Sequence, residues 1–196
     1  MPTRMPSSSP RLILASASPR RAELLTSAGF DFTIEPADVD ESILAGEQPA
    51  AYVLRVARAK ASAVAERCRK SGSAVLAADT TVVADGEILA KPEDDEDAVR
   101  MLKRLSGAVH EVLTAVVVVF AGRESAEVVR TRVRLLPLTQ EEIAWYVATG
   151  EPFGKAGAYG IQGRAARFVD WIEGSWSNVV GLPVATVDRL LKGLGA

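Results

Sequence analysis

The stretch Leu12–Leu25, LILASASPRRAELL, reads as a buried strand that runs through a small-residue loop into a helix. Leu12, Ile13 and Leu14 form an apolar run of strand length, and Ala15–Ser18 are small or polar. Ser18-Pro19 is a helix start, with Ser at the N-cap and Pro at the first helical position, and Gly29 supplies the stop. A helix opened in this way turns its unpaired N–H groups and its positive dipole end toward the loop. The hydroxyls of Ser16 and Ser18 and the guanidinium groups of Arg20 and Arg21 gather at that end, which is the composition of an anion site. Adjacent helical residues diverge, so Arg20 and Arg21 suit separate oxygens of an extended polyphosphate better than one carboxylate. The same pattern also fits an ordinary capped helix with its arginines in water.

Composition narrows the classes of function. The 196 residues are 48% hydrophobic and 24% charged, the balance of a globular chain able to bury a core. A formal net charge of −2 argues against a nucleic-acid-coating protein, so any basic cluster is local and meant for a small anion. Cys68, the single cysteine, cannot form an internal disulfide, and with one histidine as well a Cys/His zinc site is excluded. Residues 1–10, MPTRMPSSSP, lack an apolar signal core and read as a flexible N-terminal tail, leaving 11–196 as a single domain. Val116–Phe120 is too short to span a bilayer, so the protein is expected to be cytoplasmic, with no membrane partner.

Beyond the first helix, Phe30–Pro36 alternates as a strand and leads into an acidic segment containing Asp38, Asp40 and Glu41. Gln48-Pro49 opens a long helix to about Arg69 that carries Lys60 among its apolar positions. In Ala74–Ala84, AVLAADTTVVA, Asp79 interrupts an apolar strand. A carboxylate there must be hydrogen-bonded, face a cation, or lie at a sheet edge or in a cleft, and a cleft is the reading adopted. Asp85-Gly86 is a two-residue hairpin turn whose return brings Lys91 back toward Asp79. Asp94–Leu105 reads as a helix, His110–Phe120 and Glu124–Leu136 as paired strands, and Thr139–Thr149 as a helix opened by a capping box. His110 reads as a packed residue outside the site. Gly154–Gly163, GKAGAYGIQG, is too rich in glycine for a regular element and reads as a shaped loop offering Lys155 and Gln162 to a ligand. Ala166–Ile172 is expected as a strand, Gly174–Asn178 as a turn and Pro183–Leu194 as a closing helix.

Together SASPRR, the acidic Asp40-Glu41, AADTT with Lys91, and GKAGAYGIQG resemble the Maf family of nucleoside triphosphate pyrophosphatases. LSGAVHEVLTAV (Leu105–Val116) and NVVGLP (Asn178–Pro183) extend the likeness nearly to the C-terminus. The resemblance implies an α/β fold like that of inosine triphosphate pyrophosphatase, a mixed twisted sheet flanked by helices, with two lobes around a central cleft. It implies hydrolysis of a nucleoside triphosphate to the monophosphate and pyrophosphate with a divalent metal cation, Mg²⁺ or Mn²⁺, by a homodimer. Asp79 matches the catalytic acidic residue; Glu41, Lys60 and Lys91 match other charged site positions; Ser16, Arg20 and Arg21 match the phosphate-binding loop. Arg20, Thr80 and Gln162 resemble the dTTP and UTP subgroup. Two positions depart from the pattern: Gly154 replaces a frequent aspartate and Ala78 a frequent glycine.

The residue chemistry agrees with this implication. Arg20, Arg21, Lys60 and Lys91 supply positive charge for a triphosphate, and Glu41 and Asp79 are hard oxygen ligands suited to a divalent ion. Asp79 also suits general-base work, and Thr80 and Gln162 can read a pyrimidine imide edge. Two other functions share much of this sequence: a non-catalytic nucleotide-binding regulator of cell division, and a pyrophosphatase for modified nucleotides.

Overall fold

The computed structural model describes residues 12–69 and 72–196; the tail expected over residues 1–10 lies outside them. In chain order the elements are β1 (Leu12–Leu14), α1 (Pro19–Ser27), β2 (Phe32–Ile34), α2 (Pro49–Arg67), β3 (Ala74–Ala84), β4 (Glu87–Leu89) and α3 (Asp95–Leu105). Then come β5 (Val109–Phe120), β6 (Arg123–Leu135), α4 (Gln140–Ala148), β7 (Val169–Glu173), α5 (Trp176–Val180) and α6 (Val184–Leu194). Seven strands make one mixed sheet in the order β2-β1-β3-β5-β6-β7, with β4 paired to β3.

Local chemistry explains most of these elements. The Asp94 side chain accepts the Asp97 N–H to start α3, which has acidic residues in its first turn and Lys103 and Arg104 in its last. Thr139 and Glu142 close a reciprocal capping box at α4. The hairpin turns Asp85-Gly86 and Ala121-Gly122 have both residues at positive φ, matching the twist of the strands they join.

Alternation along β3 and β5 divides the interior into two apolar layers. Leu12, Leu14, Leu76, Ala78, Val116 and Val118 belong to one, and Ile13, Val75, Ala77, Leu113, Ala115 and Val117 to the other. The second layer is covered by Val53, Val56, Ala57, Ala61 and Val64 of α2. Burial on both faces is why β3 and β5 read as almost continuous apolar runs.

Two expectations are corrected. The strand expected at Ala166–Ile172 begins later, because Arg164–Phe168 form a 3₁₀ turn that buries Ala165 and Phe168. The turn expected at Gly174–Asn178 includes the start of α5, since the Ser175 hydroxyl accepts the Asn178 N–H and caps a helix there.

A break in the sheet positions the site. β1 pairs with β3 only from Ala74 to Leu76, and β4 pairs on the same chain only from Val82 to Ala84. Between these pairings the edge of β3 that faces away from β5 has, among the described residues, no strand beside it, and the β1–α1 loop peels away at that level, where ligands of open α/β sheets characteristically bind.

Candidate active site

The gap along β3 opens into a cavity of about 380 Å³. Ser16, Arg20, Arg21, Glu41, Lys60, Asp79, Thr80, Lys91, Lys155 and Gln162, contributed by widely separated stretches, all line it. Asp79 and Thr80 are adjacent on a strand and point to opposite faces, so an edge cavity receives chemistry from both layers.

On the α2 face, Lys60 Nζ lies 2.7 Å from Asp79 Oδ1 and 2.7 Å from Glu41 Oε1. Asp79 is therefore a buried carboxylate held by a buried ammonium, which answers the desolvation problem its position poses. Lys91 lines the same cavity as Asp79, and its Nζ lies 3.3 Å from Glu41 Oε2. The β4 pairing ends at Leu89, and the exposed Lys91 side chain reaches the outer carboxylate, while Lys60 bridges the outer and the inner one. Burial pushes the Glu41 carboxyl up, but the hydrogen bond and charge of Lys60, with those of Lys91, outweigh it and leave the group below its ordinary value.

On the other face, Arg21 is buried and its guanidinium is divided among three acceptors. Nε donates to the Gly181 carbonyl at 2.9 Å, Nη1 to Ser16 Oγ at 3.1 Å and Nη2 to Thr80 Oγ1 at 3.1 Å. Ser18 holds the N-cap position of α1 with Pro19 after it, as expected, but its hydroxyl makes no cap bond, and Ser16 Oγ accepts the Ser18 N–H at 3.2 Å. Thr80 and Thr114 hydroxyls lie 2.9 Å apart, and Thr114 donates to the Asn178 carbonyl at 3.1 Å. With its proton spent on Asn178, Thr114 accepts from Thr80. Arg20 diverges as expected: half-buried, it reaches the Gly154 carbonyl at 3.4 Å from Nη2.

Residues 154–163 are shaped from behind by Glu151, which the sequence reading did not single out. Glu151 Oε1 accepts the Tyr146 hydroxyl at 2.9 Å, Oε2 accepts the Arg164 N–H at 2.9 Å, and Tyr146 Oη accepts the Gly160 N–H at 3.2 Å. A Cβ on Gly163 would lie 2.3 Å from Glu151 Oε1, and one on Gly157, which sits at φ +69°, would lie 2.8 Å from Val82 Cγ2. The glycines thus admit close approach of the loop to Glu151 and β3. Lys155 Nζ donates to the Glu151 carbonyl, and burial, then the charge of Arg20, hold the Lys155 ammonium below its ordinary value. Gln162 is exposed on the cavity rim. Of the two departures, Gly154 is at φ +72° with open space around its Cβ direction, and Ala78 is fully buried.

His110 stays out of the polar site, as expected. It is buried with Nε2 2.7 Å from the hydroxyl of Tyr159, whose side chain backs the cavity, and burial pushes the imidazole down to about 4.

The fold and cavity define a mixed α/β protein with acid–ammonium pairs and guanidinium and hydroxyl groups at a sheet break. The chain belongs to the Maf family: residues 11–194 match the family described as Maf-like protein. It is 55% identical over 190 residues to the dTTP/UTP pyrophosphatase of Anaeromyxobacter dehalogenans (strain 2CP-1), covering 95% of each chain. It is also 55% identical over 188 residues to the dTTP/UTP pyrophosphatase of Geotalea uraniireducens (strain Rf4), covering 94% of this chain and 95% of the relative. Among solved structures, the Ham1 protein of Staphylococcus aureus aligns with 64% of this chain and 71% of its own, with a TM-score of 0.47 and 14% identity.

Proposed function

We propose that this protein hydrolyses dTTP and UTP to the nucleoside monophosphate and pyrophosphate. The observation that carries the reading is the Glu41–Lys60–Asp79 cluster in one cavity with Arg20, Lys91 and Lys155. The names and near-complete coverage of the relatives support the same choice of reaction and base.

Water attacks the α-phosphorus, the bond from that phosphorus to the bridging oxygen breaks, and pyrophosphate leaves. Asp79 accepts the proton of the attacking water. Arg20, Lys91 and Lys155 hold phosphate oxygens and offset the charge that develops on the leaving group. Arg21, with each guanidinium nitrogen already engaged, fixes Ser16 and Thr80 in the cavity wall. Ser16 turns its oxygen to the helix mouth, and Thr80 and Gln162 read the imide edge of the pyrimidine, where an unmatched base leaves polar groups unpaired.

Among the described residues no group of three or more His, Cys, Asp or Glu converges as a metal cage. Two carboxylates fit a divalent ion, Mg²⁺ or Mn²⁺, that takes its other ligands from water and phosphate. Glu41 and Asp79 would hold it, and it would neutralise charge on the triphosphate and on the departing pyrophosphate.

Incubation of dTTP with the protein and Mg²⁺, followed by ³¹P NMR, tests the proposal. dTMP and pyrophosphate are expected; dTDP with inorganic phosphate would overturn the reaction, and unchanged dTTP would favour a nucleotide-binding regulator. A panel including modified and purine nucleotides tests the base assignment. The proposal includes a cytoplasmic homodimer; among the described residues no helix is long and apolar enough to cross a membrane. Sedimentation equilibrium measures the oligomer.

A further inference from the structure

We infer that Lys60 stands in for the divalent cation in the nucleotide-free protein, and that the metal therefore enters with the nucleotide rather than before it. The inference rests on the reading of Glu41 and Asp79 as metal ligands.

From a single point, Lys60 Nζ contacts one oxygen of Glu41 and one of Asp79, each at 2.7 Å. A cation shared by the two carboxylates would perform the same neutralisation. The second oxygen of Glu41 is met by Lys91 at 3.3 Å. Two carboxylates matched by two ammonium groups leave no net negative charge to recruit a dication.

Lys60 is also poorly placed to step aside alone. It is 7% exposed, on a helix face whose neighbours Ala57, Ala61 and Val64 are fully buried. A buried ammonium deprived of its partners carries a large desolvation penalty, so it leaves them only for another anion. The triphosphate is that anion. Its oxygens can accept Lys60 and Lys91, freeing carboxylate oxygens at the moment when phosphate ligands for the metal arrive. Metal and nucleotide then raise each other's affinity, because each removes the obstacle to the other.

The test measures Mn²⁺ binding by the EPR signal of the free ion, using the whole chain without nucleotide. Lys60→Met removes the charge and keeps an unbranched apolar stem; Lys60→Arg keeps the charge. The methionine variant is expected to bind Mn²⁺ at least tenfold more tightly than wild type, and the arginine variant to bind as weakly as wild type. Equal or weaker binding by a folded methionine variant overturns the inference.

Should that variant fail to fold by circular dichroism, the wild-type protein decides. Its Mn²⁺ affinity is expected to rise at least tenfold with a dTTP analogue carrying a methylene bridge between the α- and β-phosphorus, measured against the analogue's own Mn²⁺ affinity. No rise overturns the inference. Failure of dTTP hydrolysis with this metal behaviour intact would count against the proposed reaction alone. Intact hydrolysis with metal affinity indifferent to Lys60 would count against the stand-in alone.

Discussion

Arg21 and Thr80, 59 positions apart in the chain, meet side chain to side chain at 3.1 Å in the wall of the cavity. The same guanidinium holds Ser16 and Gly181, so Arg21 ties the β1–α1 loop, β3 and the end of α5 into one unit. A lysine cannot reproduce a three-way fork. Arg21→Lys is expected to lower stability by about 2–4 kcal/mol, because hydrogen bonds to a buried charged group are lost and their acceptors are left unpaired. Arg20→Lys, with one long contact at 3.4 Å, is expected to leave stability within about 0.5 kcal/mol of wild type and to raise KM for dTTP. Urea unfolding of both variants checks the contrast; equal losses would remove the tie assigned to Arg21.

Asp79 combines burial, a cation partner and a place in the cavity. Asp79→Asn keeps its shape and removes its capacity to take a proton, while Glu41 still holds Lys60. A fall in kcat of about 10²- to 10⁴-fold is expected, with KM for dTTP little changed. Steady-state kinetics at saturating Mg²⁺ measure it, and near-wild-type kcat would take Asp79 out of proton transfer.

His110 gives a pH signature separate from the carboxylates. Its folded value is about 4 against 6.5 in the unfolded chain, so between those values the unfolded chain binds the proton and the folded protein does not. Its stabilising contribution is intact above pH 6.5 and is expected to decline by about 2 kcal/mol on reaching pH 5. Glu41, whose folded value is depressed, contributes stability present above its ordinary 4.5 and lost as pH falls through the folded value. Urea midpoints at pH 7, 6 and 5 for wild type and His110→Gln separate the two. The variant should lose the decline between pH 6.5 and 5, and an unchanged slope would assign that decline to another group.

Glu151 presents two carboxylate oxygens to N–H and O–H donors. Glu151→Gln replaces one acceptor oxygen with an amide that has only protons to offer. Faster hydrogen exchange at Arg164 and Gly160 is expected, with KM for dTTP rising about tenfold as Lys155 and Gln162 lose their placement, equivalent to about 1.4 kcal/mol. Gly163→Ala, whose Cβ would meet Glu151 Oε1 at 2.3 Å, is expected to have the same effect. Unaltered exchange in both variants would mean the loop holds its shape without the carboxylate.

Local sequence determined the elements whose hydrogen bonds close within a few residues. The Asp94 cap, the Thr139–Glu142 box and the Asp85-Gly86 turn were legible because donor and acceptor are neighbours along the chain. The apolar runs of β3 and β5 were equally legible, and Asp79 stood out against one of them because an isolated buried charge demands a partner. The chain did not say who that partner was. That Lys60 holds Asp79 and Glu41, that Arg21 serves the cavity wall, and that Glu151 shapes the glycine loop were decided only when distant segments packed together. The 3₁₀ turn at Arg164–Phe168 belongs with these, since Glu151 Oε2 accepts the Arg164 N–H that opens it. A cap or turn is fixed by geometry within one turn of backbone. The partner of a buried charge depends on which remote groups share its low-dielectric surroundings, and tertiary packing alone chooses them.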